Sequence, residues 1–506
     1  MAQGWQYSPK EINVKRGIGY GLTDLMGGGW NNIVSGVIFA YLTLTVHMDP
    51  GMAGALTGIG RIVDAIFSLF FGSITDNFYR SKLGKKFGRR HFFMVVGIIG
   101  FAVVFPMFWV PATAIFGPGK DFLYYLIVYC LMEVIIAMIL IPWETLPTEM
   151  TEDYTKRTIL SGSRMVISAI GTTIVFFVLA ILQTLKDPNA YLIAGVLWTI
   201  LFVVAMTISW RTTWERELDE KFIAELDARP KLSIGQYLAK TVKDYASTFK
   251  NKSFRKHLAV YLLSFTGKDF YATLLPTFIV VAAGSAANVP WVLNSLALFG
   301  IFSTLAAAKL MISKGPRFLF ELAYSGIILA LVGYVATYFL HVSNPFIIFV
   351  IITIVYQASR GILEFTPWNV FPFIPDVDRM ITREDRAGTY AAVMTFFRKS
   401  TGAAAAWIAG LALEAIGYNA TATTQTGAVK DGIALIFFIG PVVLIALALV
   451  VALTFRLNKQ THEVLKTEMH RLEAGGAKAD VTPEAKQVTE ALTGHPYEEL
   501  WPDKLL

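Results

Sequence analysis

The sequence predicts an all-α membrane protein of twelve transmembrane helices, arranged as two pseudo-symmetric six-helix halves. Three observations predict it. The 506 residues are 55% hydrophobic and only 16% charged, with a mean hydropathy of +0.53, whereas soluble domains carry about 25% charged residues. The apolar residues gather in about twelve runs, each near the roughly 20 residues that span a bilayer. Lys and Arg concentrate in alternate connections between those runs.

Taken in order, the runs are 17–46, 51–77, 91–112, 122–146, 158–184, 190–210, 257–284, 289–312, 318–341, 344–371, 388–416 and 432–455. The connections at 78–90, 148–157, 211–256, 313–317 and 372–387 carry Lys or Arg, while His47-Met-Asp-Pro, Gly284–Val289 and His341–Pro345 are nearly bare. Positive charge stays on the cytoplasmic side, so both termini and the basic loops are expected there, in a multi-pass protein of a bacterial-type inner membrane. The predicted organisation is a cytoplasmic N-terminus (1–16), an N-terminal half (17–210), a cytoplasmic linker (211–256), a C-terminal half (257–456) and a cytoplasmic tail (457–506). The polar start, MAQGWQYSPKEINVK, has no apolar signal core, so insertion is expected to begin from the first spanning helix. The linker mixes charge signs and is expected to form short surface helices. The tail, charged and then rich in Ala, Gly, Thr and Pro, is expected to be partly disordered.

Composition also excludes several functions. The net charge of +7 sits in loops suited to an anionic inner leaflet, so the lipid bilayer, not nucleic acid, is the macroscopic partner. The single cysteine, Cys130, rules out an intrachain disulfide, and the seven His show no metal-ligand spacing. There is no P-loop lysine motif and no nucleophile elbow. The chain is expected to be no enzyme, to need no metal or cofactor, and to work as a monomer on a small-molecule substrate.

Two six-helix halves are a recurring secondary-transporter plan, so the charges inside the apolar runs become the candidate site. An ionisable group at that depth costs several kcal/mol, roughly 2.5 or more. Asp64 lies about thirteen residues into the second run with Arg61 one turn before it, and Lys399 about eleven residues into the eleventh. The two either meet across the halves or sit separately along a water-filled path. Asp24 lies beside Gly27-Gly28-Gly29 on the first run, where glycines allow close approach of a helix or a ligand. The fourth run ends in Ile141-Pro142-Trp143-Glu144-Thr145-Leu146-Pro147. Its prolines are expected to break the helix. Trp143 offers either a flat face for a sugar ring or an interfacial anchor, and Glu144 an acceptor for hydroxyls. Glu133 is a candidate acidic partner of Arg164 on the fifth run. Lys268 and Asp269 are adjacent and each needs its own partner. Arg360 and Glu364 are four apart, an internal ion pair, and Trp368 follows one turn later.

These residues resemble a family. Arg61-Ile-Val-Asp64-Ala with Gly72 and Asp76, Arg80-Ser-Lys-Leu-Gly84 with Gly88-Arg89-Arg90, Ile141-Pro142-Trp143 with Glu149-Met-Thr151, Arg164, Pro375-Asp376, Arg386-Ala-Gly388 and Phe396 to Lys399 and Gly402 are similar to the glycoside–pentoside–hexuronide:cation symporters. These are a melibiose-permease-like branch of the major facilitator superfamily, and the resemblance covers about residues 12–456. It implies the major facilitator fold and import of a sugar, glycoside or uronide with a cation by alternating access. By motif position Asp64 matches the principal cation carboxylate, Lys399 the eleventh-helix lysine near it, and Arg164 a fifth-helix arginine near the sugar. Asp24 matches a more general acidic position; Asp64, Lys399, Asp24 and Ser68 become the expected cation-coupling residues, and Asp24, Trp143, Glu144, Arg164 and Trp368 the expected substrate contacts. Asp76, Arg80, Arg89 and Arg90 fall in the expected gating loop. Where the pattern has a second acidic residue four after the first, this chain has Ser68, and the two sugar carboxylates fall at Gly28 and Leu140. Fewer carboxylates favour H⁺ over Na⁺ as coupling ion, and Arg164 with Lys399 allows an anionic sugar. A lysolipid carrier on the same fold, and a transport-dead membrane sensor, are the alternatives.

Overall fold

The computed structural model describes residues 9–115, 117, 119–151, 153–219, 223, 234–384 and 386–502. The ends of the chain, part of the linker and the side chain of Asp76 lie outside the described residues. Everything described is helix or connection. By length and hydropathy alone, eight of the described helices qualify as membrane spans, and two of these, Val289–Phe339 and Phe346–Thr382, continue through places where the sequence suggested ends. Within Val289–Phe339 the break between two predicted spans falls at Gly315, whose φ of 78° a side chain would strain. The remaining predicted spans are helical too, at Val14–Thr45, Lys252–Ala282 and Ala387–Ala415. The first of these is a succession of α-helix and two π-helical turns, Ile33–Val37 and Tyr41–Thr45.

The chain groups into two compact units. The first holds Met1–Pro230, Asp269–Leu298 and Gly402–Phe437, and the second Lys231–Lys268, Phe299–Thr401 and Phe438–Leu506. The predicted N-terminal half therefore lies in the first unit, and the predicted C-terminal half contributes to both.

In the first unit, small residues set the helix spacing. A Cβ at Gly28 would come within 2.4 Å of the Ser168 carbonyl, and one at Gly171 within 2.2 Å of the Leu25 carbonyl. Lipid offers no hydrophobic drive between helices, so backbone contact of this kind supplies the packing. The glycines beside Asp24 thus bring Thr23–Asn32 against Tyr154–Thr184 rather than opening a ligand space. The Asp121–Met150 helix runs unbroken through Pro142 and Pro147, contrary to the expected break. Membrane helices tolerate proline because neighbouring groups take up the backbone polar atoms it disturbs.

In the second unit the tail corrects the expectation of disorder. It forms helices Lys459–Glu473 and Pro483–Thr493. Asn458 and Thr461 make a reciprocal cap at the first, while Thr482 caps the second and Pro483 opens it. Composition pointed to disorder, but Leu465, Met469, Leu472, Leu492, Tyr497 and Leu500 are all buried. The tail docks on the segment after the tenth span, itself the helix Ile374–Thr382. The Trp501 amide donates to the Met380 carbonyl at 2.9 Å, Arg383 lies over the Trp501 ring at 4.9 Å, and His462 meets Asp376 at 2.7 Å. In the linker, Ile234–Thr248 is a helix, as the sequence suggested for that segment.

Candidate functional site

Two groups of charges lie within the predicted spans of the first unit, among the described residues. In one, the Arg164 guanidinium is a fork between two carboxylates. Its Nε donates to Asp24 Oδ2 at 2.8 Å and its Nη2 to Glu144 Oε1 at 2.8 Å. The Asp24 side chain is 10% exposed and that of Glu144 47%, so Asp24 is the fixed arm and Glu144 the accessible one. Below the fork, Trp143 is fully buried. Tyr20 stacks on it with ring centroids 4.9 Å apart, the Arg164 guanidinium carbon lies 4.6 Å from its centroid, and its indole N–H donates to the Tyr20 carbonyl at 3.0 Å. The flat face expected to receive a sugar ring is therefore already covered, and Trp143 is no interfacial anchor either. It positions Arg164 from beneath. Asp24, Trp143, Glu144 and Arg164, read from three separate stretches of sequence, converge here. Trp368 belongs to the second unit, 45% exposed, with its ring edge-on to Tyr261.

The other group centres on Arg61, which interacts electrostatically with Tyr129, Glu133, Asp64 and Asp269. The three carboxylates are buried. Asp64 Oδ1 accepts a hydrogen bond from the Ser68 hydroxyl at 3.0 Å, so Ser68 stands one turn along and serves the carboxylate as a donor. Arg61 and Asp269 line a cleft with Ser35, Thr57 and Thr273. This arrangement corrects the pairing expected for Glu133: it accompanies Arg61, whereas Arg164 takes Asp24 and Glu144. Depth along a helix was readable from sequence, but the face Glu133 presents was not. Asp269 joins this group, while Lys268 meets Glu364 at 3.0 Å in the second unit, so the adjacent pair does part. Asp269 was visible only as a charge in an apolar run, with no signal to tie it to Asp64. Lys399 lies in the second unit on Ala387–Ala415, half-buried.

A third group holds the basic loop. Arg89 and Arg90 both bind Glu149 Oε1, the former at 2.5 Å. Arg80 folds over its neighbour Tyr79, Nε to hydroxyl, at 3.1 Å. Glu215, which sequence reading passed over, sits at the start of the His91–Phe108 helix. It accepts from the backbone amides of Arg89, Arg90 and His91 at 2.9, 3.0 and 2.7 Å, and contacts His91 Nδ1 at 2.8 Å. Those amides are the orphan donors of a helix start, where the dipole also favours negative charge. Gly88, at φ 84°, makes room: a Cβ there would lie 2.4 Å from Glu215 Oε1. Burial pushes the Glu215 carboxyl up, but the His91 side chain and the backbone amides outweigh it and hold the group below its ordinary value. A lowered folded-state pKa stabilises the fold above the unfolded value, about 4.3 for Glu, and this contribution is lost as pH falls through that value toward the folded one. Glu215→Ala is expected to cost on the order of 3 kcal/mol, read as a lower thermal midpoint at pH 7 whose difference from the parent protein shrinks below about pH 4.

The comparisons with known proteins agree in kind. A family model described as MFS/sugar transport protein matches residues 19–459. The uncharacterized symporter sll1374 of Synechocystis sp. (strain ATCC 27184 / PCC 6803 / Kazusa) is 21% identical, over 82% of this chain and 88% of that protein. The glucuronide carrier protein homolog of Escherichia coli (strain K12) is 20% identical, over 89% of this chain and 94% of that protein. Among solved structures, the D323A mutant of the nucleoside transporter NupG superimposes with a TM-score of 0.61 at 13% identity, covering 88% of this chain and 99% of that one. That likeness shows the major facilitator fold.

Proposed function

This chain belongs to the MFS/sugar transport protein family, as a multi-pass membrane symporter and not an enzyme, and on that premise we propose that it imports a sugar, glycoside or uronide with a proton by alternating access. The observation that carries this reading is the pair of separate charge groups in one unit, an Arg164 fork and an Arg61 cluster. Symport needs two such groups, one for cargo and one for the ion.

Asp24 and Glu144 are acceptors suited to sugar hydroxyls, and Glu144 is the arm exposed enough to exchange Arg164 for a ligand. Trp368 is a separate candidate contact. Asp64 carries the coupling ion, with Ser68 donating to it and Lys399 tuning it. The proton is favoured over Na⁺ because Arg61, a permanent cation, sits within the carboxylate group. A metal ion would need several oxygens facing it, against that charge, whereas a proton needs one carboxylate. The basic groups of 78–90 favour a cytoplasmic side for that loop and both termini. Arg80, Arg89 and Arg90 serve as its latch. The name of the glucuronide carrier relative adds weight to an acidic sugar among the candidates.

The test is a proteoliposome uptake screen of neutral glycosides and uronides under an imposed pH or Na⁺ gradient. Accumulation driven by the pH gradient alone is the expected result. Accumulation that requires Na⁺ would make the Asp64, Glu133 and Asp269 oxygens a metal cage and overturn the proton assignment. Failure of every sugar to accumulate would overturn the cargo.

A further inference from the structure

The Arg164 fork poses a question of charge. With two carboxylates on one guanidinium, Asp24, Glu144 and Arg164 sum formally to −1, so this place suits hydroxyls and not an anion. A second group of intramembrane charges has the opposite balance. In the second unit, Lys268 Nζ and Arg360 Nε converge on the same oxygen of one carboxylate, Glu364 Oε1, at 3.0 and 2.9 Å. These three residues sum formally to +1. Lys268 also lies over the Phe265 ring at 4.8 Å, and Arg398 faces that ring at 5.2 Å. Cations on an aromatic ring are held there by its quadrupole, so one ring gathers two further positive contacts beside the ion pairs.

A separate observation points to an acceptor ligand. Gln357, one turn before Arg360 on the same helix, is 1% exposed, and its Nε2 is a buried donor with no hydrogen-bond partner among the described residues. Its Oε1 faces Arg360 Nη1 at 3.5 Å. Turning the amide over would aim its N–H₂ at a guanidinium, so its orientation is fixed by charge. A buried unpaired donor is costly. Arg360 is the fifteenth residue of the Phe346–Val370 helix, roughly 20 Å from its start at 1.5 Å per residue. The Lys268 ammonium, the Arg360 guanidinium and the Gln357 amide N–H₂ form a donor set for a carboxylate.

We propose that Lys268, Arg360 and Gln357, with Arg398 across Phe265, form a site that takes the carboxylate of an acidic sugar, and that Glu364 competes with it for the same donors. This rests on the reading of the chain as a sugar symporter. Glu364 exchanges Lys268 for the ligand while it keeps Arg360 on its own helix, so binding breaks an ion pair between helices.

The experiment measures binding to the purified full-length protein in nanodiscs, with D-glucuronate, methyl β-D-glucoside and sodium acetate as probes. Parent protein is expected to bind glucuronate at least about tenfold more tightly than the neutral glucoside, the size of one charge-assisted hydrogen bond. Glu364→Gln removes the competitor and is expected to tighten glucuronate about tenfold with the glucoside unchanged. Lys268→Met is expected to weaken glucuronate by a similar factor, and Lys268→Arg to restore it. A purely structural ion pair predicts the opposite sign for Glu364→Gln. Equal binding of glucuronate and glucoside by the parent protein overturns the site without relying on any variant, and leaves the symporter reading standing. Acetate competing as well as glucuronate would assign the site to free anions and overturn the sugar. If neither sugar binds, the symporter reading fails and this site falls with it.

Discussion

Asp64→Asn is expected to abolish accumulation against a gradient while downhill exchange of the substrate continues. Asparagine keeps the size of the side chain and an oxygen able to accept from Ser68, now 3.0 Å from Asp64 Oδ1. What it removes is the charge that a proton neutralises. A membrane potential of 100 mV stores about 2.3 kcal/mol per charge moved, equivalent to about a fiftyfold concentration ratio at equilibrium. With Asp64 present, accumulation of a neutral glycoside in proteoliposomes should approach that limit, whereas a uronide, whose charge cancels that of the proton, should follow an imposed pH gradient instead. With asparagine the internal concentration should stop at the external one, whatever gradient is imposed. Counterflow measured on the same vesicles separates uncoupling from simple loss of the protein. Accumulation that survives the substitution would move the ion to Glu133 or Asp269, the other carboxylates acting on Arg61. Doing the same experiment at Asp269, which lines the cleft beside Arg61, would then identify which one.

The fold was legible because hydropathy and loop charge are one-dimensional signals. Each spanning helix satisfies its backbone internally, so its existence depends on its own composition. The candidate residues were legible for the same reason, since Asp24, Asp64, Arg164 and Lys268 each violate the composition of their run. Partners were harder. Asp24 and Arg164 are 140 positions apart, and nothing local states which face of a helix meets which. Glu133 was given to Arg164 on depth alone, but its helix turns it toward Arg61. Glu215 was missed because it acts through backbone amides, which no side-chain motif announces. Trp143 was misread in a more instructive way. An aromatic next to an acid suggests a sugar platform only if one face is open, and here Trp143 is fully buried, with Tyr20 stacked on it and Arg164 against its ring. The tail was misread from bulk composition, although Asn458 with Thr461 and Thr482 with Pro483 are local helix-start signals.

Arg164→Met is the substitution expected to do most damage to the substrate group. The guanidinium reaches Asp24 through Nε and Glu144 through Nη2, each at 2.8 Å, and it lies on the buried Trp143 ring. Removing it leaves the Asp24 carboxylate, 10% exposed, without its cation, and breaking such a pair costs about 3–5 kcal/mol. Binding of any sugar should fall by about a hundredfold or more, with a lower thermal midpoint. Arg164→Lys should recover only part of this, because an ammonium is a point charge and cannot fork between two carboxylates on different helices. The double variant Arg164→Met with Asp24→Asn separates scaffold from function. It removes the stranded charge, so the thermal midpoint should recover, yet transport should stay lost because neither the fork nor the fixed carboxylate remains. Recovery of transport along with stability would mean that the pair only braces two helices and that the sugar binds elsewhere.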